Sequence, residues 1–225
     1  MNRQTLHSHL DTLHAQFNQA RYIHPDPLEF VHRYDNPQDQ EIAGLFAALL
    51  AYGRVAQILQ SNERVLEPMH PSPSDYVRNS TPSQLERDFS TFQHRWTRGN
   101  DVIQLAIGIQ QLLQALRSLE ASFAHHLQPH DTNTIPALSH WIHSLNPLGT
   151  KNSLLSDPAK GSACKRLHLY LRWMIRNDEV DPGPWKSISP ALLVIPLDTP
   201  MFKVAKTLRM TKRKNPDGHA ALDMT

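Results

Sequence analysis

Two side chains in this sequence have the type and the setting for covalent chemistry on a sugar-like carbon, Lys165 and Asp198. Lys165 opens the helical run Lys165-Arg166-Leu167-His168-Leu169-Tyr170-Leu171-Arg172-Trp173-Met174-Ile175-Arg176, directly after Lys160-Gly161-Ser162-Ala163-Cys164. The first turn of a helix leaves its backbone N–H groups unpaired at the positive end of the helix dipole, and such an end holds phosphate. An amine placed there is a candidate nucleophile, able to form a Schiff base with an aldehyde or sugar carbon. Asp198 follows the apolar run Leu192-Leu193-Val194-Ile195 and precedes Thr199-Pro200-Met201-Phe202. An aspartate there caps the helix that proline starts. Capping alone is one reading of Asp198; a cap also fixes the carboxylate in place, as a catalytic acid requires.

On a helix turning about 100° per residue, with Lys165 as origin, Arg172 falls at about 340° and Arg176 at about 20°. Leu167, Tyr170, Leu171 and Met174 fall at about 200°, 140°, 240° and 180°, so they form the packing face and the three cations share the other. A solvated basic face is the alternative to a binding stripe. A second basic group follows at Lys203, Lys206, Arg209, Lys212, Arg213 and Lys214, so the last third of the sequence is its electropositive part.

The elements that must position these groups are helical. Apolar residues recur at helical spacing in Leu6, Leu10, Leu13 and Phe17, predicting a helix over about 3–20. A short helix is expected from Leu28 to Tyr34. Gln40 to Leu50 is apolar nearly all round, the signature of a central buried helix. It breaks at Tyr52-Gly53-Arg54 and resumes through Val55, Ile58, Leu59, Val65 and Leu66. One or two short helices are expected in the proline-rich stretch 68–82. Further helices are predicted over 101–116, 119–127 and 135–145, and no sustained apolar–polar alternation marks a sheet. The fold class read from this pattern is all-α.

Composition bounds the rest. The 225 residues suit one large domain or two small, closely packed ones, and seventeen prolines against eight glycines fit many helix starts and stops. Net charge is +2 with an isoelectric point near 8.7, which neither demands nor excludes nucleic acid. The single cysteine, Cys164, rules out a disulfide framework and an all-cysteine metal or iron–sulfur site, in keeping with a cytoplasmic setting. The fourteen histidines show no ligand spacing, so no metal and no cofactor are expected. No apolar run approaches the roughly eighteen residues of a membrane span.

Ile195-Pro196-Leu197-Asp198-Thr199-Pro200-Met201-Phe202-Lys203-Val204-Ala205-Lys206 resembles the Pro-Val-Asp-Thr-His-Val-x-Arg-Val-x-x-Arg segment of the helix-hairpin-helix DNA glycosylases. Across almost its whole length the chain resembles an uncharacterised, mainly bacterial family related to those enzymes. Its marks are Tyr22-Ile23-His24-Pro25-Asp26-Pro27-Leu28, Leu50-Ala51-Tyr52-Gly53-Arg54-Val55, Lys160-Gly161-Ser162-Ala163-Cys164-Lys165-Arg166, Leu171-Arg172-Trp173-Met174-Ile175-Arg176 and Asp181-Pro182-Gly183-Pro184-Trp185. The long interval between Lys165 and Asp198 is similar to that of the archaeal 8-oxoguanine DNA glycosylases, with Asp181 to Trp185 inside the insertion.

That resemblance implies a single glycosylase-like domain over 1–225, two closely packed helical subdomains with a cleft between them, and a hairpin and active-site segment at 155–209. It implies a base-excision glycosylase/lyase acting on a damaged base, an oxidised purine being one candidate, with Lys165 as nucleophile and Asp198 as catalytic acid. Lys160, Gly161, Ser162, Ala163, Arg166, Arg172 and Arg176 are the candidates for the DNA backbone. Tyr52, Arg54 and Trp173 are candidates for the base, against the alternative that aromatic residues at helical spacing are core. The implied partner is double-stranded DNA, bound by a monomer. The alternatives are a non-catalytic helix-hairpin-helix DNA-binding protein and a helical protein-interaction module. Three departures from the glycosylase pattern are visible: the hairpin keeps one glycine, Gly161; Pro200 stands where histidine follows Asp-Thr; and the further C-terminal helices of that family are expected to be missing after Thr225.

Overall fold

The structure, a computed structural model, describes residues 3–225. In chain order its α-helices are α1 (Arg3–Phe17), α2 (Pro37–Leu49), α3 (Val55–Leu66), α4 (Pro73–Asn79), α5 (Pro82–Phe89), α6 (Gly99–Leu116), α7 (Leu119–Ala124), α8 (Ile135–Ser144), α9 (Lys165–Ile175), α10 (Thr199–Thr207) and α11 (Gly218–Met224). A two-residue hairpin, β1 (Gln93–His94) paired antiparallel with β2 (Thr97–Arg98), lies between α5 and α6. The protein is all-α. Among the described residues no helix is long and apolar enough to cross a membrane.

Local chemistry accounts for the starts. Asn36, Ser72 and Thr81 each accept an N–H bond from the first turn, before α2, α4 and α5, and each of these helices opens on a proline. The segment expected as a short helix near Leu28 is a 3₁₀ helix, Pro27–Arg33, capped by Asp26. The sequence pattern did not predict the hairpin, because two-residue strands are too short to show alternation. It predicted neither α5, which runs beyond the proline-rich stretch, nor α11.

α2 occupies the centre. Ile42, Ala43, Leu45, Phe46, Ala47, Ala48 and Leu49 have no solvent exposure, because the helix runs between the Pro27–Arg33 segment and α9. Gly44 permits the close approach of α9: a Cβ there would meet Met174 Cε at 2.8 Å and Val31 Cγ2 at 3.3 Å. The packed face of α9 is the one its periodicity defines, with Leu167, Tyr170, Leu171 and Met174 buried. Trp141, Tyr170 and Trp185 pack ring against ring beside it.

A buried carboxylate ties the centre together. Glu41 on α2 accepts N–H bonds from Leu119 (3.0 Å) and Glu120 (2.8 Å) at the start of α7, and from Trp185 Nε1 (2.8 Å). Burial pushes its carboxyl up to about 7 although these donors oppose the shift. The segment carrying Trp185 folds back on the end of α9, where Gly183 N–H donates to Trp173 O (3.0 Å) and Trp185 N–H to Met174 O (2.8 Å). Terminal carbonyls of α9 are thereby satisfied and the helix is fixed at its far end. Gly183 has φ +53°, and a Cβ there would lie 2.5 Å from Arg176 O, so the return requires glycine.

A second, smaller apolar cluster is made by Val194, Leu197, Phe202, Ala220 and Ala221, from the 190s segment, α10 and α11. Lys165 opens α9 on the large core, and its Nζ lies 3.6 Å from the carboxylate of Asp198, which follows Leu197 of this cluster.

Candidate functional site

The start of α9 is built by a tight turn. Asp157 accepts the Ala159 N–H (2.9 Å) at the head of a single 3₁₀ turn, Pro158–Lys160, which ends at Gly161 with φ +83°. The element before Gly161 is thus one turn of 3₁₀ helix packed on α8. Gly161 O accepts the Gly218 N–H (2.9 Å), so α11 docks on this turn. Lys160, Gly161 and Ser162 are exposed and Ala163 is half-buried. Cys164, left-handed at φ +39°, immediately precedes α9.

Lys165 is the first residue of α9 and Asp198 is the cap of α10. Asp198 Oδ1 accepts the Met201 N–H (2.9 Å), which fixes the carboxylate and turns Oδ2 to Lys165 Nζ at 3.6 Å. The two side chains remain 36% and 39% exposed, so a ligand can reach both.

Two cavities meet at Lys165. One, of about 570 Å³, is lined by Leu169, Arg172, Val194, Ile195 and Met201 among others; the second, of about 340 Å³, is lined by Tyr52, Ser162, Ala163, Arg166 and Leu197 among others. Both are of ligand-pocket size.

Arg172 and Arg176 share the larger cavity with Lys165, as the helical angles predict, but their guanidinium groups are engaged. Arg172 donates Nε–H to Asp181 Oδ2 (2.8 Å), and Arg176 donates Nε–H (2.8 Å) and Nη2–H (2.6 Å) to Asp178 Oδ2 while its Nε lies 2.9 Å from Asp181 Oδ2. The Asp181 side chain has no exposure, and burial raises its carboxyl despite both arginines. For Asp178, partial burial is outweighed by the Asp181 and Val180 N–H bonds and by Arg176, which hold it near 2.

Arg166, expected beside phosphate, is an internal strut. Its guanidinium donates to Leu49 O and to Ser153 O (3.0 Å) and lies over the Tyr52 ring. The Leu49 carbonyl it meets ends α2, where helix carbonyls lack intrahelical partners and attract a cation; a contact spanning 117 positions leaves no mark in local periodicity. Trp173, expected near the base, is 2% exposed and belongs to the core, the outcome that helical spacing favours for aromatics. Tyr52 lines the smaller cavity and Arg54 is exposed just before α3.

The pattern search passed over Trp96 and Arg95, at the tip of the hairpin. Trp96 is 58% exposed and stacks on Tyr52 at 4.6 Å. The signal was present in the run Arg95-Trp96-Thr97-Arg98, where an aromatic residue is interleaved with arginines.

No curated protein and no solved structure matches the chain. The sequence profile of one family, described as "Protein of unknown function (DUF2400)", matches residues 26–225, and by that match over most of its length the chain belongs to this family.

Proposed function

We propose that the protein is a DNA glycosylase/lyase of the helix-hairpin-helix kind, with Lys165 as nucleophile, Asp198 as acid–base partner and double-stranded DNA as its partner. The observation that carries this reading is the 3.6 Å approach of a half-exposed lysine amine to a capped, half-exposed carboxylate where two cavities meet. A surface ion pair needs neither the cavities nor the fixed carboxylate. The motif around Asp198 supplies the reaction class by resemblance, and the cavities supply room for an extruded nucleotide.

In the reaction proposed, the Asp198 carboxylate takes the proton that the Lys165 ammonium must lose. Lys165 Nζ then attacks C1′ of the extruded nucleotide. The N-glycosidic bond breaks with its electron pair leaving on the base, and the base takes up a proton. That proton comes from Asp198, and the carboxylate so restored stabilises positive charge at C1′ as the bond breaks; the amine–C1′ adduct then opens to the Schiff base from which strand cleavage proceeds. Ser162, exposed at the mouth of the site, is the residue of this turn offered to phosphate, since the Gly161 N–H is engaged by Pro158 O (3.0 Å).

The test is base release and strand cleavage on a panel of lesion-bearing duplexes. Wild type releases at least one base; Lys165→Gln and Asp198→Asn each lose activity by about 10²-fold or more. Activity unchanged in both variants overturns the assignment. One observation favours a non-catalytic DNA-binding reading: Asp198 has a complete structural role in capping α10. Salt-dependent duplex binding with no base released from any lesion selects that reading.

A further inference from the structure

We propose that Trp96 is a stacking platform for an unpaired nucleobase of single-stranded nucleic acid, with Arg95 and Arg54 taking the neighbouring phosphates. The proposal rests on the nucleic-acid part of the reading above and is independent of any chemistry at Lys165. Of the four tryptophans, Trp141, Trp173 and Trp185 are at most 2% exposed, whereas Trp96 is 58% exposed. A large apolar ring left in water on a floppy loop would be unremarkable; this one is held in place.

Its support is a network of inward-facing polar bonds. Trp96 stacks on the Tyr52 ring at 4.6 Å and 21° between planes. The Tyr52 hydroxyl lies 2.9 Å from His94 O and 2.6 Å from Thr97 Oγ1, on the two strands that flank Trp96. His94 is buried, with its ring nitrogens 2.8 Å from Ser61 Oγ and 2.9 Å from Tyr52 O. Thr97 Oγ1 continues to Ser153 Oγ (2.7 Å), which donates to Asp101 at the head of α6. The hairpin side chains that form these bonds turn inward, leaving Trp96 exposed together with Arg95 and Arg98.

Charge defines what the ring meets. Arg95 lies 5.0 Å from the Trp96 centroid and packs on Gly53, where a Cβ would be 3.2 Å from Arg95 Cδ. Gly53 at φ +106° thus gives Arg95 its seat, with Arg54 next in the chain. Among the described residues neither Arg54 nor Arg95 forms an ion pair. Contacts run from Arg95 to Trp96 to Tyr52 to Arg166, and Tyr52 and Arg166 both line the smaller cavity at Lys165. A largely exposed π surface carrying one unneutralised guanidinium, that of Arg95, with Arg54 exposed beside the Gly53 on which Arg95 packs, matches a base and its phosphodiesters. An apolar protein partner would require an apolar surround, and an acidic peptide would use the arginines and leave the ring idle.

The exposed ring reports its own occupancy. The experiment titrates the full chain with a thymidine oligonucleotide and with a duplex of equal length at low salt, following tryptophan fluorescence. Single strand is expected to quench the emission, in wild type and in Lys165→Gln alike. Trp96→Ala loses the quench and weakens single-strand binding about tenfold or more, while Trp96→Phe recovers most of the affinity. Arg95→Ala lowers the slope of log affinity against log salt by about 0.7. Trp96→Ala binding within twofold of wild type overturns the proposal, as does binding without any change in fluorescence. Absence of quenching by either oligonucleotide also overturns it and leaves a protein partner as the occupant. Quenching of the wild type by single strand, with no base released by the wild type from any lesion, removes only the chemistry; base release by the wild type with single-strand binding unchanged in Trp96→Ala removes only the platform.

Discussion

The arginines of α9 and those around Trp96 are similar in sequence and are used in opposite ways. Arg166 spends its donors on Leu49 and Ser153 carbonyls, and Arg172 and Arg176 converge on the buried Asp181. Arg54 and Arg95 carry the same charge without a carboxylate across from them. The difference lies in the opposite wall. A cation on a helix stripe is available to a ligand only where the chain returns no acceptor to it, and the 178–185 return supplies acceptors to α9. The arginines of this stripe are therefore held by acceptors within the fold although Arg172 and Arg176 are about as exposed as Lys165, while those of the hairpin patch face no carboxylate.

The contrast breaks most visibly in stability. Removing both Arg172 and Arg176 as alanine leaves Asp181 buried without a counter-charge, and a loss of about 3–5 kcal/mol is expected in urea unfolding. A loss below about 1 kcal/mol would show that these two are surface charges after all. Next in size is His168 on the packed face of α9, which burial holds down at about 4 against an ordinary 6.5. With the folded-state value depressed, the unfolded chain binds the proton first. Its contribution is thus present above about pH 6.5 and is lost progressively as pH falls to about 4, by roughly 3 kcal/mol. Unfolding curves at several pH values should show this slope in wild type and not in His168→Leu.

Asp198 sharpens the comparison at the site itself. Asp198→Ala is expected to cost about 1 kcal/mol through the lost cap, whereas Asp198→Asn, which caps as well, should cost only a few tenths and yet abolish base release. Melting temperature and activity measured together separate the two roles. The smallest effect is expected at the hairpin, where Arg54→Ala and Arg95→Ala should each move stability by less than about 0.5 kcal/mol. A larger change would mean that these arginines have internal partners like those of α9.

Much of this was legible in the sequence. The all-round apolar run of α2 placed it at the centre, and the α9 angles correctly grouped Lys165 with Arg172 and Arg176 against a buried Leu/Tyr/Met face. Asp198 as a cap followed from Asp-Thr-Pro. What periodicity could not convey was pairing across the chain. Asp181 lies only nine positions beyond Arg172, yet its role depends on a return made possible by Gly183, and a one-dimensional pattern does not encode that return. The hairpin was hidden for a different reason: two-residue strands carry no period, and its significance comes from Tyr52, more than forty positions earlier. The hairpin before α9 also differs in kind from what its motif suggested, since Pro158 to Lys160 forms one 3₁₀ turn.

The central claim is that the amine of Lys165 is the reacting group. It is tested most directly by borohydride trapping on a lesion-bearing duplex followed by peptide mapping of the adduct. A covalent protein–DNA species whose modified residue is Lys165 and which is absent from Lys165→Gln is expected; no adduct on any lesion, or an adduct mapped to another lysine, rules out Lys165 as the nucleophile.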